Sequence, residues 1–384
     1  MQVHLVQCMI INRTIKKELE SALKNTDRKV IILYGPRQAG KTTLIEMLLH
    51  QDLSYKKYNG DDIFTQNIFS NNNLESLKRE IGEKDLLIID EAQRINNIGL
   101  SLKLIIDNLP IKVIVSGSVS FDLADKVCEP LTGRTKTFWL YPLSLREVKD
   151  KFPQMEKDKI IEEMLLYGMY PKIWNIEGKK EKEDYLFKYI NSYLYRDILT
   201  ISKIKKPKKI IDLLILLALQ IGSEVSVSEL AQNTNLIQST VENYLDVLEK
   251  MFIIFNVRGF SRNSRKEISK TSKYYFFDMG VRNALIRNFN PLSLRGDTGA
   301  MFENWVISEK IKKSNNNRDF SNFYFWRTYD QQEIDLVEDS KGSITAYECK
   351  WKKDTKKIPN DWKKAYPQSQ FNLINKDNVF EFLS

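Results

Sequence analysis

The chain has 384 residues, 42% hydrophobic and 28% charged, with a formal charge of +9, which describes a soluble globular protein too long for one ordinary core. Roughly two to four compact units are expected. No apolar run approaches the length of a membrane span; residues 213–219 are a short run directly after Asp212.

The apolar start, residues 3–11, lacks a basic leader and a small-residue cleavage site, so it reads as a strand or a disordered start rather than a signal peptide. Cys8, Cys128 and Cys349 are scattered and odd in number, which argues for a reducing cytoplasm and against a disulfide framework. With His4 and His50 as the two histidines, a His/Cys zinc centre is not expected. A catalytic metal should then be an oxygen-bound ion such as Mg²⁺. Residues 1–150 hold 21 basic against 19 acidic side chains, and the remainder 38 against 31. A basic second part suits a polyanion such as nucleic acid, although scattered lysine also serves solubility.

In chain order, residues 14–24 read as a helix, Asp27-Arg28 as a break, and Lys29 as the start of a strand. That strand runs into Gly35-Pro36-Arg37-Gln38-Ala39-Gly40-Lys41-Thr42-Thr43, the G-x-x-x-x-G-K-T spacing of a phosphate-binding loop. Backbone N–H groups of such a loop wrap the phosphates, Lys41 neutralises their charge, and Thr42 offers its hydroxyl to Mg²⁺. Gly35 and Gly40 are expected to supply unusual backbone angles, and a helix over 41–50 to point its positive end at the phosphates.

A second strand is predicted over 54–58 and a short helix over 74–81. Leu86-Leu87-Ile88-Ile89 then ends in Asp90-Glu91, the pattern of a buried parallel strand with chemistry at its tip. Asp90 is placed to hold Mg²⁺ and Glu91 to polarise the attacking water. Adjacent side chains leave a strand on opposite sides, so this pair must sit where the strand is already turning. A helix over 100–109 and a strand over 112–116 follow. Ser116 and Ser118 at the strand tip are candidates to sense a γ-phosphate, or belong to a serine-rich turn. Arg134 is a candidate arginine finger for its own subunit or a neighbour's, or pairs with a surface carboxylate.

Gly-Pro-Arg-Gln-x-Gly-Lys-Thr-Thr-Leu, the apolar strand ending in Asp-Glu, Ser-Gly-Ser, and Gly-Arg ahead of an aromatic strand and Pro142-Leu143-Ser144 resemble the AAA-type ATPase domain of a large prokaryotic group. Its members are mostly known only as ATP-binding proteins with a C-terminal domain of unknown function. The resemblance covers nearly the whole chain and implies ATP and Mg²⁺ as ligands.

The middle reads as helices over 159–167, 181–199 and 208–221, broken by Pro171 and Pro207. Residues 193–198 match a helix typical of the family, with Arg196 a second nucleotide or intersubunit contact, or a packing residue. Serine caps open a helix near Val225, a turn at 233–235 follows, and a second helix spans 237–250 before a strand at 252–255. This is a winged-helix plan. The second helix offers Gln238, Ser239, Thr240, Glu242 and Asn243, a poor surface for phosphate, whereas Arg258, Arg262, Arg265, Lys266, Lys270 and Lys273 form a basic flank. The module is expected to pack domains or touch DNA without sequence preference.

Residues 273–280 match the strand-and-glycine signature that precedes the family's last domain. Glu303 on a helix over 300–313, Asp335 on a strand over 333–337, and Glu348-Cys349-Lys350 closing a strand over 343–350 resemble the PD-(D/E)XK nuclease fold. Glu348 and Lys350 lie two apart and share a strand face. The resemblance implies that Asp335 and Glu348 bind Mg²⁺, that Glu303 completes the shell, and that Lys350 activates the attacking water. Family members usually carry glycine where Gln331-Gln332 stand here.

The expected fold is α/β: an AAA-type P-loop NTPase three-layer sandwich over 1–150, a helical lid or linker over 151–206, a winged helix over 207–270, and a nuclease-like α/β domain over 271–384. The expected function is a cytoplasmic, Mg²⁺-dependent ATPase, with a homo-oligomer among its candidate assemblies, whose nucleotide switch drives a C-terminal region that acts on or docks to DNA. The alternative is a nucleotide-gated signalling or interaction protein with an inactive nuclease-like domain.

Overall fold

The computed structural model describes residues 10–49, 53–118, 131–195, 198, 206–261, 272–352 and 358–383. The apolar start to residue 9, Cys8, Cys128, His4, His50, Arg196, and the basic residues Arg262, Arg265, Lys266 and Lys270 lie outside the described residues. The chain divides into two compact units, residues 12–141 with 250–252, and residues 1–11, 142–249 and 253–384.

The first unit runs α1 (Lys16–Lys24), β1 (Val30–Tyr34), α2 (Lys41–Glu46), β2 (Tyr55–Asn59), α3 (Ile63–Ser70), α4 (Leu74–Ile81), β3 (Leu86–Asp90), α5 (Ile98–Asn108), β4 (Lys112–Gly117) and β5 (Thr135–Trp139). Its five strands are all parallel in the order β2-β3-β4-β1-β5. Ile31, Leu33, Leu86, Ile88 and Ile114 pack on one face with α1 and α2. The alternate residues Ile32, Leu87, Ile89, Val113 and Val115 are equally buried, as a parallel sheet covered on both sides requires. Chain order within the sheet has a direct consequence for chemistry. Because β4 lies between β1 and β3, its tip separates the loop after β1 from the carboxylates after β3.

Helix α3 was not foreseen in the sequence, where Phe64 and Phe69 show no clear helical stripe. It begins because Asp62 accepts from the backbone N–H of Phe64 and Thr65, satisfying donors the helix cannot.

The second unit holds α6 (Leu145–Lys151), α7 (Lys157–Tyr167), α8 (Lys179–Tyr189), α9 (Pro207–Leu219), β6 (Glu224–Val225), α10 (Val227–Thr234), α11 (Gln238–Lys250), β7 (Ile254–Gly259), β8 (Ser272–Phe276), α12 (Met279–Leu285), α13 (Thr298–Asn317), β9 (Asn322–Arg327), β10 (Glu333–Ser340), β11 (Ser343–Lys350), α14 (Asn360–Ala365), β12 (Gln370–Asn375) and α15 (Val379–Leu383). Its strands form one sheet in the order β12-β11-β10-β9-β7-β8-β6. The antiparallel β7–β8 hairpin joins the last strands where Arg258 and Gly259 pair in parallel with Tyr324 and Phe325. The expected boundary at residue 270 lies outside the described residues, and β7 and β8 on either side of it pair, so the segments 207–270 and 271–384 share a sheet.

Two polar anchors fasten this unit. The Asn304 amide exchanges hydrogen bonds with both the N–H and the carbonyl of Phe276, each 2.7 Å, fixing α13 on β8. Glu309, itself paired with Lys312, accepts from Leu145 N at 2.7 Å, and Lys312 donates to the Leu143 carbonyl at 3.1 Å. Both ions are almost fully buried, and each has its partner.

Candidate functional site

In the first unit, β1 delivers the loop at the C-terminal edge of the sheet. Gly40 takes φ 95°, the left-handed conformation that glycine adopts without steric cost. Gly35 does not need such an angle. A Cβ there would run into the carbonyl oxygen of Leu140, so close backbone approach requires the glycine instead. The second left-handed position in the loop is Gln38, at φ 62°. Lys41 is buried, and its Nζ donates to the carbonyls of Gly35 and Pro36 at 2.8 and 3.1 Å. Helix α2 is shorter than expected, ending at Glu46, with Thr42 and Thr43 exposed on its first turn.

Three donors then converge on one carboxylate. Thr42 Oγ1 donates to Asp90 Oδ2 at 2.7 Å; Ser116 Oγ and the Glu91 N–H donate to Oδ1 at 2.5 and 3.0 Å. Register explains the meeting, since Ile89 pairs with Val115 and Asp90 and Ser116 are the residues that follow them on the two strands. The strand does turn after Asp90. Glu91 has φ 49° and ψ 39°, so its side chain escapes the strand's alternation. Glu91 Oε2 accepts from Gln93 Nε2 at 2.6 Å and from Ser118 Oγ at 3.3 Å. Ser116 and Ser118, the candidates at the tip of β4, thus reach the carboxylates of Asp90 and Glu91.

Arg13, absent from the sequence reading, holds the loop from behind. Its guanidinium donates to the carbonyls of Ala39 and Tyr141, both at 2.6 Å. No local pattern marks it, because its partners lie 26 and 128 residues away. Arg134 is placed elsewhere. Its carbonyl accepts from Val30 N at the N-terminal edge of the sheet, and its guanidinium is bidentate on Asp107 at 2.6 Å. The loop leaves the opposite edge, so Arg134 is no finger for its own chain's site; the surface pair is what forms.

The donor set after β1 and β3 fits Mg²⁺, which takes hard oxygens from one or two protein groups and the rest from phosphates and water. Thr42 Oγ1 and Asp90 Oδ2 are the oxygens that could supply that pair.

The second unit gathers Glu303 from α13, Asp335 from β10, and Glu348 and Lys350 from β11. The pairing of β10 with β9 slips by one residue between Ile334 and Val337, a bulge that re-aims Asp335. Asp335 Oδ2 accepts from Cys349 N at 2.7 Å. Burial, then the charges of Glu303 and Glu348, push its pKa well above the usual carboxylate range. Glu348 is fully buried, and its Oε1 lies 2.8 Å from Lys350 Nζ, the shared strand face expected. Burial pulls the Lys350 ammonium down, but the hydrogen bond to Glu348 and the neighbouring carboxylates leave it above its ordinary value.

Glu303 departs from the three-carboxylate shell. Its Oε1 accepts from Tyr275 OH at 2.6 Å and lies 3.6 Å from Lys273, which also meets Glu333 at 2.5 Å. Burial raises the Glu303 pKa against the pull of Lys273. Among the described residues no group of three or more His, Cys, Asp or Glu side chains is arranged to hold a metal ion. Lys273 is also withdrawn from the basic flank, being buried. The glycine departure resolves simply: Gln331 itself adopts φ 62° and donates to the Thr328 carbonyl at 3.1 Å, closing the turn.

Residues 27–149 match a family described as AAA domain, which supports a P-loop ATPase domain in this part of the chain. Residues 158–292 and 298–382 match two families described as domains of unknown function, DUF8612 and DUF4143. An uncharacterized protein of Mycobacterium tuberculosis is 26% identical over 352 residues, covering 90% of this chain and 75% of that one. An uncharacterized protein of Methanocaldococcus jannaschii is 25% identical over 320 residues, covering 78% and 69%. Among solved structures, a signal transduction ATPase with a tetratricopeptide repeat sensor from Pyrococcus horikoshii matches at TM-score 0.29 and 13% identity, over 82% of this chain. This chain spans about half of that one, 48%. Among the described residues no helix is long and apolar enough to cross a membrane.

Proposed function

We propose that the protein is a cytoplasmic, Mg²⁺-dependent ATPase whose nucleotide state switches a C-terminal region that acts on or docks to DNA. The observation that carries the hydrolytic half is the chain Thr42–Asp90–Ser116, which ties the phosphate loop to the tip of β3 through one carboxylate.

In this reading the loop N–H groups of residues 35–43 wrap the triphosphate, and Lys41 Nζ exchanges two carbonyls for phosphate oxygens. Thr42 and Asp90 hold Mg²⁺, which neutralises phosphate charge when bound. Glu91 orients a water and receives its proton as the oxygen attacks the γ-phosphorus; the bridging P–O bond breaks, leaving ADP and phosphate. Lys41→Ala should lose ATP binding in calorimetry. Glu91→Gln should keep binding and lose about a hundredfold or more of turnover. Wild-type protein that neither binds nor turns over ATP at millimolar Mg²⁺ sinks the reading.

The DNA half rests on the helix–turn–helix of residues 227–250, on the paired strands β7 and β8, and on the cluster around Asp335. The exposed face of α11 carries Gln238, Ser239, Glu242 and Asn243 and no arginine or lysine, which favours packing or non-specific contact over base reading. The engagement of Glu303 by Tyr275 and Lys273 favours the second reading, an interaction protein with a retired nuclease fold. Plasmid nicking with Mg²⁺ or Mn²⁺ separates the two. Cleavage lost in Asp335→Ala supports an active nuclease, and no cleavage by wild type supports docking.

A further inference from the structure

Glu91 is a surface-edge residue whose backbone is strained and whose carboxylate is nonetheless held. A left-handed glutamate is strained and persists where neighbours over-determine it. Those neighbours are in view. Gln93, buried in the short 3₁₀ turn Ala92–Arg94, gives its amide N–H₂ to Glu91 Oε2 at 2.6 Å and to Ser118 Oγ at 3.2 Å. Ser118, also buried, donates to the same Oε2 at 3.3 Å. Glutamate, glutamine and serine close a triangle in which both donors fall on one carboxylate oxygen.

The turn itself is fixed by Arg94 N donating to the Glu91 carbonyl at 3.0 Å, so Gln93 is presented back toward Glu91 by the backbone two residues on. Ser118 arrives independently from the tip of β4. A carboxylate free to rotate about its last torsion would spread over a range of angles, because that torsion is broad. Anchoring one oxygen removes the freedom and leaves Oε1 to accept from a water. Ser116 does the corresponding service for Asp90, two residues earlier on the same face of β4.

We infer that Gln93 is a positioning residue for ATP hydrolysis, acting with Ser118 by holding Oε2 of Glu91 so that the other carboxylate oxygen meets the attacking water. The inference rests on the hydrolytic role of Glu91 proposed above. It assigns a function to a residue that contacts neither phosphate nor metal, and it predicts a loss confined to the chemical step.

The test uses the full chain and Gln93→Met, which keeps the volume of the side chain and deletes its donor, with single-turnover hydrolysis and calorimetric ATP binding measured side by side. The hydrolysis rate should fall about tenfold, while the ATP dissociation constant stays within about twofold. In a Glu91→Gln background the same substitution should add nothing, since the two residues act as one unit. An unchanged or faster rate in Gln93→Met overturns the inference, and so does an equal further loss in the Glu91→Gln background. If Gln93→Met does not fold, Ser118→Ala probes the same oxygen and should lower the rate with binding intact; no change there also overturns it. A wild type that binds ATP without hydrolysing it removes the parent reading and this inference together, whereas turnover indifferent to residues 93 and 118 removes the inference alone.

Discussion

Asp90 and Asp335 are both buried carboxylates on strands, and they are solvated by opposite means. Asp90 receives two hydroxyls and a backbone N–H, donors that suit an anion, and the hydroxyl of Thr42 opens it to the exposed first turn of α2. Asp335 receives one backbone N–H and shares its surroundings with Glu303 and Glu348, like charges that hold its proton affinity high. The first arrangement is satisfied within the protein and poised at a sheet edge. The second is short of positive charge despite Lys350 and Lys273, and its third carboxylate is spoken for by a tyrosine. Similar residue types thus yield a ready site in one unit and a constrained one in the other, because donors, not carboxylates, set the electrostatics.

The comparison can be broken in order of effect. The largest is the loss of ATP binding in Lys41→Ala, which has no counterpart in the second unit. Next is Asp335→Asn, measured by chemical denaturation in the presence of a chelator. A carboxyl whose folded pKa is raised contributes stability that is complete below its unfolded value and is lost as pH climbs through the folded one. The wild-type second unit should therefore weaken on going from pH 4 toward pH 8, and the asparagine variant should not, ending the more stable of the two at the upper end. A variant that is less stable at pH 8 would show that Lys273 and Lys350 already balance the cluster. The smallest effect is Arg134→Ala. It removes a partly exposed pair with Asp107, worth about 0–1 kcal/mol, and should leave turnover within about twofold. A large loss of turnover at protein concentrations that favour self-association would instead assign Arg134 to a neighbouring subunit's site.

Much of the first site was legible from local pattern. The loop spacing, the apolar run before it and the Asp-Glu after a second apolar run each depend on residues adjacent in the chain, and the structure brings Lys41, Thr42, Asp90 and Glu91 to one edge. Helix α4 and strand β11 also match the expected bounds. Less was legible where one residue type has several uses. Gly35 was expected to bend and instead gives way to Leu140, and the hydrogen bonds of Ser116 and Ser118 to Asp90 and Glu91 have no signal in the local pattern. The terminal elements α14, β12 and α15 escaped notice, lying in a lysine-rich stretch without strong periodicity.

Hydrophobic alternation and glycine spacing are short-range properties, so the chain by itself determined a parallel nucleotide-type sheet with its loop, and a later strand bearing Glu348 and Lys350 on one face. Strand order and long-range pairing decided the rest. Only the insertion of β4 between β1 and β3 sets Ser116 on Asp90 and Ser118 on Glu91, and only the fusion of β7 to β9 lets Lys273 and Tyr275 of β8 reach Glu303 and Glu333. The physical reason is that a buried polar group must find a partner wherever the fold supplies one, and sequence distance carries no information about that partner.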